Sequence, residues 1–191
     1  MNDYAPAFIQ HLAGLADGRD RGALATLRHS LAFPPGRYPP AYPYVERFAK
    51  PEWSAQDGRR LALYAVAGLF ARHPSQRAAS LATSLGELMH HRDNSPSIEH
   101  RFIALLGADA EGVLDHLRQA ISLLAADGLG LDYARLLLDL QVWLSPPEAY
   151  PQQADRLDDI RQRWARDFYR ALHASAAADA AAAPATPTPA D

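Results

Sequence analysis

The sequence predicts an all-α fold, a compact helical bundle of about eight to nine helices, on three observations. Apolar residues recur at helical spacing along almost the whole chain, prolines and glycines interrupt that spacing, and strand-like alternation is absent. At 191 residues the chain has room for one domain or two small subdomains. Its 48% hydrophobic and 21% charged residues suit a globular core with a wetted surface.

Phe8, Leu12 and Leu15 mark a first helix that stops near Gly18, and Leu24, Leu27 and Leu31 mark a second from about Asp20. FPPGRYPPAYPYV then carries five prolines in thirteen residues. Proline removes a backbone donor and restricts its neighbour, so this stretch predicts a long ordered loop, or a short helix ending at Lys50-Pro51. From about Gln56 to His73, RRLALYAVAGLFARH is apolar nearly all round, the mark of a buried central helix. A shorter helix over 80–90 precedes the polar break HHRDNSPS, and further helices follow at about 96–107, 110–126, 132–144 and 154–173. Leu114, Leu117, Ile121 and Leu124 make a packing seam. The boundaries expected are a helical domain over 1–173 and a tail over 174–191. Its alanines extend the last helix a little, and its Pro-Thr end is predicted to be disordered.

The chain has no cysteine, which excludes disulfides and thiolate chemistry and fits a reducing compartment. No signal peptide and no apolar run of the ~18 residues a membrane span requires is visible, so a soluble, cytoplasmic protein is expected. The net charge of −3 points to no polyanion, but its distribution does. Residues 18–101 hold 12 basic and 7 acidic residues, 102–159 hold 3 and 10, and 160–170 hold 4 and 1. All but one of the 19 basic residues are arginine, which suits bidentate phosphate contacts, although GC-rich codon usage yields the same excess.

Catalytic motifs are missing. There is no Walker A loop, no GxGxxG after a strand and no GxSxG elbow. His73, His90, His91 and His100 are the only concentration of histidine. Neighbouring histidines point apart on a helix, and no His pair has the i, i+4 spacing of a metal site. No enzyme, metal, cofactor or small-molecule substrate is expected.

The stretch SPSIEHRFIALLGAD (95–109) bears more directly on function. Ser95 is a candidate N-cap with Pro96 at the first helical position, and Glu99 sits in the first turns, where the helix dipole favours an acid. Ile98, Phe102, Leu105 and Leu106 share one face, with Arg101 on one flank and Glu99 on the other. Residues two apart do not meet on a helix, so Arg101 presents its guanidinium at the rim of the core, to a phosphate or to another helix. Arg118 flanks the Leu114/Leu117/Ile121 stripe and Arg28 flanks Leu24/Leu27/Leu31 in the same manner. In the last helix Leu157, Ile160, Trp164 and Phe168 face inward. Arg163, Arg166 and Arg170 share the outer face, Arg161 lies nearer the apolar edge, and Asp167 can pair with Arg163 four residues away. A solvated face is the plain alternative for that outer row.

Four segments together, LYAVAGLFARHP (63–74), SIEHRFIALLGAD (97–109), HLRQAISLLAADGLGLDYARLLLDLQVW (116–143) and QRWARDFY (162–169), resemble the small subunit of the type I-E CRISPR surveillance complex Cascade, the CasB family. Their order and spacing match, and the likeness covers roughly residues 4–173. The resemblance implies an all-helical protein with two small subdomains and no catalytic activity. It implies as partners the backbone and large subunits of the complex, a second copy of this chain, crRNA and target DNA. It also implies a basic surface that holds the target and displaced strands of an R-loop in antiviral defence. Carried across by position, that surface falls on Arg28, Arg101, Arg118 and Arg161, with Arg59 where the register can slip by one residue. Arg163 is added from the helical wheel. The family's basic, glycine-containing stretch corresponds to SLATSLGELMHH, where Glu87 replaces an expected positive charge and Arg92 or the histidines stand in.

Two other readings stay open on the residues. One is a structural spacer whose arginines contact neighbouring proteins. The other is a His-based hydrolase, which would carry bound metal.

Overall fold

The computed structural model describes residues 4–146 and 152–182. Among them are nine α-helices, linked by turns and short 3₁₀ segments, and no strand. They are α1 (Tyr4–Asp17), α2 (Arg21–His29), α3 (Tyr42–Val45), α4 (Gly58–Arg72), α5 (Leu81–His91), α6 (Pro96–Gly107), α7 (Val113–Ala126), α8 (Tyr133–Trp143) and α9 (Gln153–Ala182).

Local chemistry sets the helix starts. Asp20, Asp57, Ser80 and Asp132 each accept hydrogen bonds from backbone N–H groups in the first turn of α2, α4, α5 and α8, satisfying donors that have no partner inside the helix. Ser95 occupies the cap position of α6 without a side-chain cap bond, and Pro96 begins that helix.

The proline-rich stretch is an ordered loop. A turn closes with the Arg37 N–H on the Pro34 carbonyl, 3.0 Å away, with Pro35 and Gly36 at its centre. Gly36 sits at φ +74°, in the left-handed region that a turn of this kind reserves for glycine. Two 3₁₀ turns and the single turn of α3 carry the chain on to α4. Tyr64 of α4 donates to Glu46, whose carboxylate also pairs with Arg60 at 3.0 Å, and so ties the loop down.

Helix α4 is the centre. Residues 62–71 are buried without interruption, and α2, α7 and α8 pack around it. The second organising contact is α5 along α9. A Cβ on Gly86 of α5 would collide with the Phe168 carbonyl oxygen and stand 3.0 Å from the Ala171 Cβ. Phe168 is fully buried and stacks on Phe102 of α6 with centroids 4.2 Å apart, while Trp164 packs on Trp143 of α8 at 5.3 Å. Removing a side chain of this size from water contributes about 1.5–3 kcal/mol.

A strap joins the α4–α5 and α7–α8 connections. Gln76 and Leu131 form an isolated β-bridge, Tyr133 donates its hydroxyl to the His73 carbonyl at 2.6 Å, and His73 Nε2 bonds to the Leu129 carbonyl at 2.8 Å. His73 is therefore a buried structural residue.

The last helix is extended by the alanines of the tail. It continues through Ala182, past the boundary expected at 173, because alanine is the strongest helix former and no breaker intervenes before Pro184. The Pro-Thr end lies outside the described residues. Among the described residues no helix is long and apolar enough to cross a membrane.

The close α5–α9 approach predicts that Gly86→Ala lowers stability by about 1–3 kcal/mol, as overpacking does. A chain of this size would lose several degrees in Tm, at roughly 2–4 °C per kcal/mol. Gly107→Ala, where an added methyl meets nothing within 4 Å, is the control and should leave Tm unchanged or slightly raised. Thermal melting of both variants checks this, and an unchanged Gly86→Ala would refute the packing.

Candidate nucleic-acid interface

The six arginines singled out by sequence fall into three states. Arg28, in the last turn of α2, and Arg101, in the middle of α6, are exposed and have no hydrogen-bond or ionic partner among the described residues. Arg101 stands beside buried Ile98, Phe102 and Leu105 and lines a small cleft with His116 and Gln119 of α7. Glu99 does not neutralise it. It accepts from the Tyr169 hydroxyl of α9 at 2.7 Å, a bond that raises the tyrosine's pKa.

Arg118 and Arg161 are held lightly. Arg118 pairs with Asp115 one turn earlier on α7, and its guanidinium also donates to the Leu31 carbonyl just beyond α2. Asp115 is 65% exposed, and an exposed pair of this kind contributes about 0.2–1 kcal/mol. Arg161 reaches Asp158, 64% exposed, at 3.3 Å, donates to the Ala108 carbonyl at 3.0 Å and lies over the Trp143 ring.

Arg59 and Arg163 are held firmly. Arg59 grips Asp57 with two guanidinium nitrogens at 2.9 and 2.6 Å and stacks on Trp53 at 4.7 Å. Those hydrogen bonds pull the Asp57 pKa below the usual carboxylate range. A depressed carboxylate pKa stabilises the fold above the unfolded value and is lost as pH falls through the lowered one. Only acid below about pH 4 loosens the clamp. Arg163 does not pair with Asp167 as its i+4 spacing allows. It crosses to Asp139 of α8, a buried carboxylate that also accepts from Trp164 Nε1 at 2.7 Å. Asp167 takes Arg135 at 2.9 Å and Ser80 at 2.8 Å. Arg59 and Arg163, expected from sequence to face a phosphate, are each paired with a carboxylate, with side chains 41% and 35% exposed. Nearby carboxylates on the same chain occupy both.

The six also separate in space. The Arg118–Leu31 bond ties one flank of α7 to the end of α2, near Arg28, and the Arg101 cleft lies on the other flank of α7. Arg118 and Arg101 thus border opposite flanks of α7, and Arg28 belongs to α2, three residues before Leu31. Arg59, Arg161 and Arg163 lie elsewhere, against Trp53, Trp143 and α8. Glu87 is paired with Arg77 at 2.6 Å, and Arg92 is occupied by two bonds to Asp127 at 2.9 Å, so Arg92 does not stand in as a free charge beside it. Arg37, Arg166 and Arg170, never assigned to the interface from sequence, are exposed without ionic partners among the described residues. The helical wheel marked the last two only as an outer face.

Comparison with known proteins bears on this arrangement. Residues 23–169 match the family model described as CRISPR-associated protein Cse2. The CRISPR-associated protein Cse2 of Thermus thermophilus is 43% identical over 152 residues, 78% of this chain and 79% of that one. A crystal structure of CasB from Thermus thermophilus superposes with a TM-score of 0.69 at 40% identity, covering 86% of this chain and 97% of that one. A chain of a CRISPR RNA-guided surveillance complex, 23% identical, shares the fold with a TM-score of 0.73 over 90% of this chain and 95% of its own.

The three states predict different stabilities. Arg28→Ala and Arg101→Ala should leave the unfolding free energy, from urea titration, within about 0.5 kcal/mol of the parent. Asp139→Ala should cost about 2–4 kcal/mol, less than a fully buried pair because the Arg163 side chain is 35% exposed. Equal effects in all three would contradict the assignment.

Proposed function

This chain belongs to the CRISPR-associated Cse2 family, and from that membership we propose that it is a non-catalytic small subunit of a type I-E CRISPR RNA-guided surveillance complex. In this reading it stabilises the target and displaced DNA strands of the R-loop. One observation carries the reading: Arg28, at the end of α2, and Arg101, beside α7, stand exposed without a carboxylate partner among the described residues. An arginine at the rim of a core with no acid to hold it is available to a phosphate, and its planar fork suits that contact.

Guide pairing reads sequence in such a complex, so this subunit need only follow backbone charge and shape. Exchanging one duplex for another is nearly balanced in free energy, and a few phosphate contacts are enough to tip it. Arg118 joins the track on binding. Its pair with exposed Asp115 contributes too little to resist a phosphate. Arg161 exchanges less readily, because the Trp143 indole holds it in addition to an exposed acid and a backbone carbonyl. The acidic stretch over 102–159 mates with basic faces of neighbouring subunits and limits nonspecific binding. The other subunits, a second copy of this chain, crRNA and target DNA are its partners, and the cytoplasm its place of action.

Arg59 and Arg163 pair with carboxylates of the same chain, so a spacer role in which arginines serve neighbouring proteins draws no support from them.

The complex reconstituted without this chain should bind target DNA more weakly and release the R-loop sooner. Arg28→Ala and Arg101→Ala should each weaken binding for every target sequence alike, and each should reduce the slope of log affinity against log salt by about 1. Filter binding across a salt series measures both, and unchanged affinity and R-loop lifetime on omitting the chain would reject the proposal.

A further inference from the structure

Among the described residues three large apolar side chains are exposed: Ile103, Tyr169 and Phe33. Tyr169 is engaged by Glu99. Phe33, 41% exposed, belongs to a cluster of rings. It stacks on Tyr38 with centroids 4.9 Å apart and planes 14° from parallel, and His29 meets both rings edge-on at 5.6 and 5.2 Å.

The scaffold beneath is rigid. The Phe33 N–H closes a 3₁₀ turn on the Ser30 carbonyl at 3.0 Å, and the Pro34–Arg37 turn lies between the two stacked residues. The Tyr42 hydroxyl pins that turn through the Gly36 carbonyl at 2.8 Å. Rings held in place before a ligand arrives lose little conformational entropy on binding it. Arg28 precedes His29 in the chain and Arg37 precedes Tyr38, neither with an acidic partner among the described residues, while Glu111, Asp115 and Arg118 line the cleft that Phe33, Arg37 and Tyr38 border. An exposed aromatic face with unpaired arginines next to it in the chain is the chemistry of single-stranded nucleic-acid binding, where bases stack and the backbone is held by charge.

We propose that Phe33, backed by Tyr38 and His29, is a base-stacking platform for an unpaired nucleotide of a single strand, with Arg28 and Arg37 on the flanking phosphates. This rests on the reading that the exposed arginines hold nucleic-acid backbone, and adds to it a contact with the base itself. No base-edge partner is invoked, so the platform accepts any base.

The test uses the full chain and two probes, a 12-nucleotide thymidine oligonucleotide and an abasic deoxyribose-phosphate oligomer of the same length. Phe33→Ala and Phe33→Leu should lose fivefold to a hundredfold in affinity for the first and nothing for the second, with unchanged melting. Phe33→Trp should retain binding, with its emission quenched by the bases against a constant background from buried Trp53, Trp143 and Trp164. Equal binding of both oligomers by the parent, or equal loss for both in Phe33→Ala, overturns the platform and leaves the phosphate track standing. No binding of either oligomer by the parent overturns both. Loss of self-association in Phe33→Ala with strand binding intact would make the patch a protein contact and overturn the platform.

Discussion

Over residues 62–71 helix α4 has no solvent face, and the rest of the molecule is arranged to satisfy that constraint. Its residues 62–71 are buried, and small side chains let neighbours come near. At Gly68 a methyl group would stand 2.7 Å from a Leu31 methyl and 3.1 Å from the Leu27 carbonyl, so α2 packs almost backbone to backbone against it. A helix wrapped in this way leaves no interior place for charge. The arginines are driven to the rims of the packed stripes, where their stems lie on apolar surface and their guanidinium groups reach water.

At the rim an arginine finds a carboxylate or it does not, and in the proposed role this sorts structural from nucleic-acid-binding residues. Arg163 and Asp139 form a partly buried pair with an indole bonded to the same acid, and removing one member strands the other. Arg118 and Asp115 form an exposed pair that a phosphate can replace at little cost. Arg28 and Arg101 have nothing to give up. In the proposed role, favouring an R-loop without reading its sequence gains from such graded availability, since strong nonspecific binding to intact duplex would compete with the search for targets.

Much of this was legible in the sequence. Helical periodicity announced every long helix, and the all-round apolar run announced α4. The i, i+2 spacing of Glu99 and Arg101 already separated them. Local rules failed where the partner is distant in sequence. Asp139, on a different helix, captures Arg163 in place of Asp167, and no helical wheel contains that choice. Arg59 was closer to readable, because Asp57 caps the same helix two residues away. The extension of α9 to Ala182 follows from alanine propensity, which the composition of the tail obscured. The FPPGRY stretch was recognisable as an ordered loop, yet the stacking of Phe33 on Tyr38 depends on the turn between them and has no signature in residue spacing.

In the proposed role exposed Arg28 and Arg101 touch nucleic acid while captured Arg59 and Arg163 do not. Photo-crosslinking in the assembled, target-bound complex addresses it directly, with a benzophenone amino acid placed in turn at positions 28, 101, 59 and 163. Labelled DNA from 28 and 101, and labelled protein only from 59 and 163, is the predicted pattern. DNA adducts from 59 and 163, or none from 28 and 101, would contradict it.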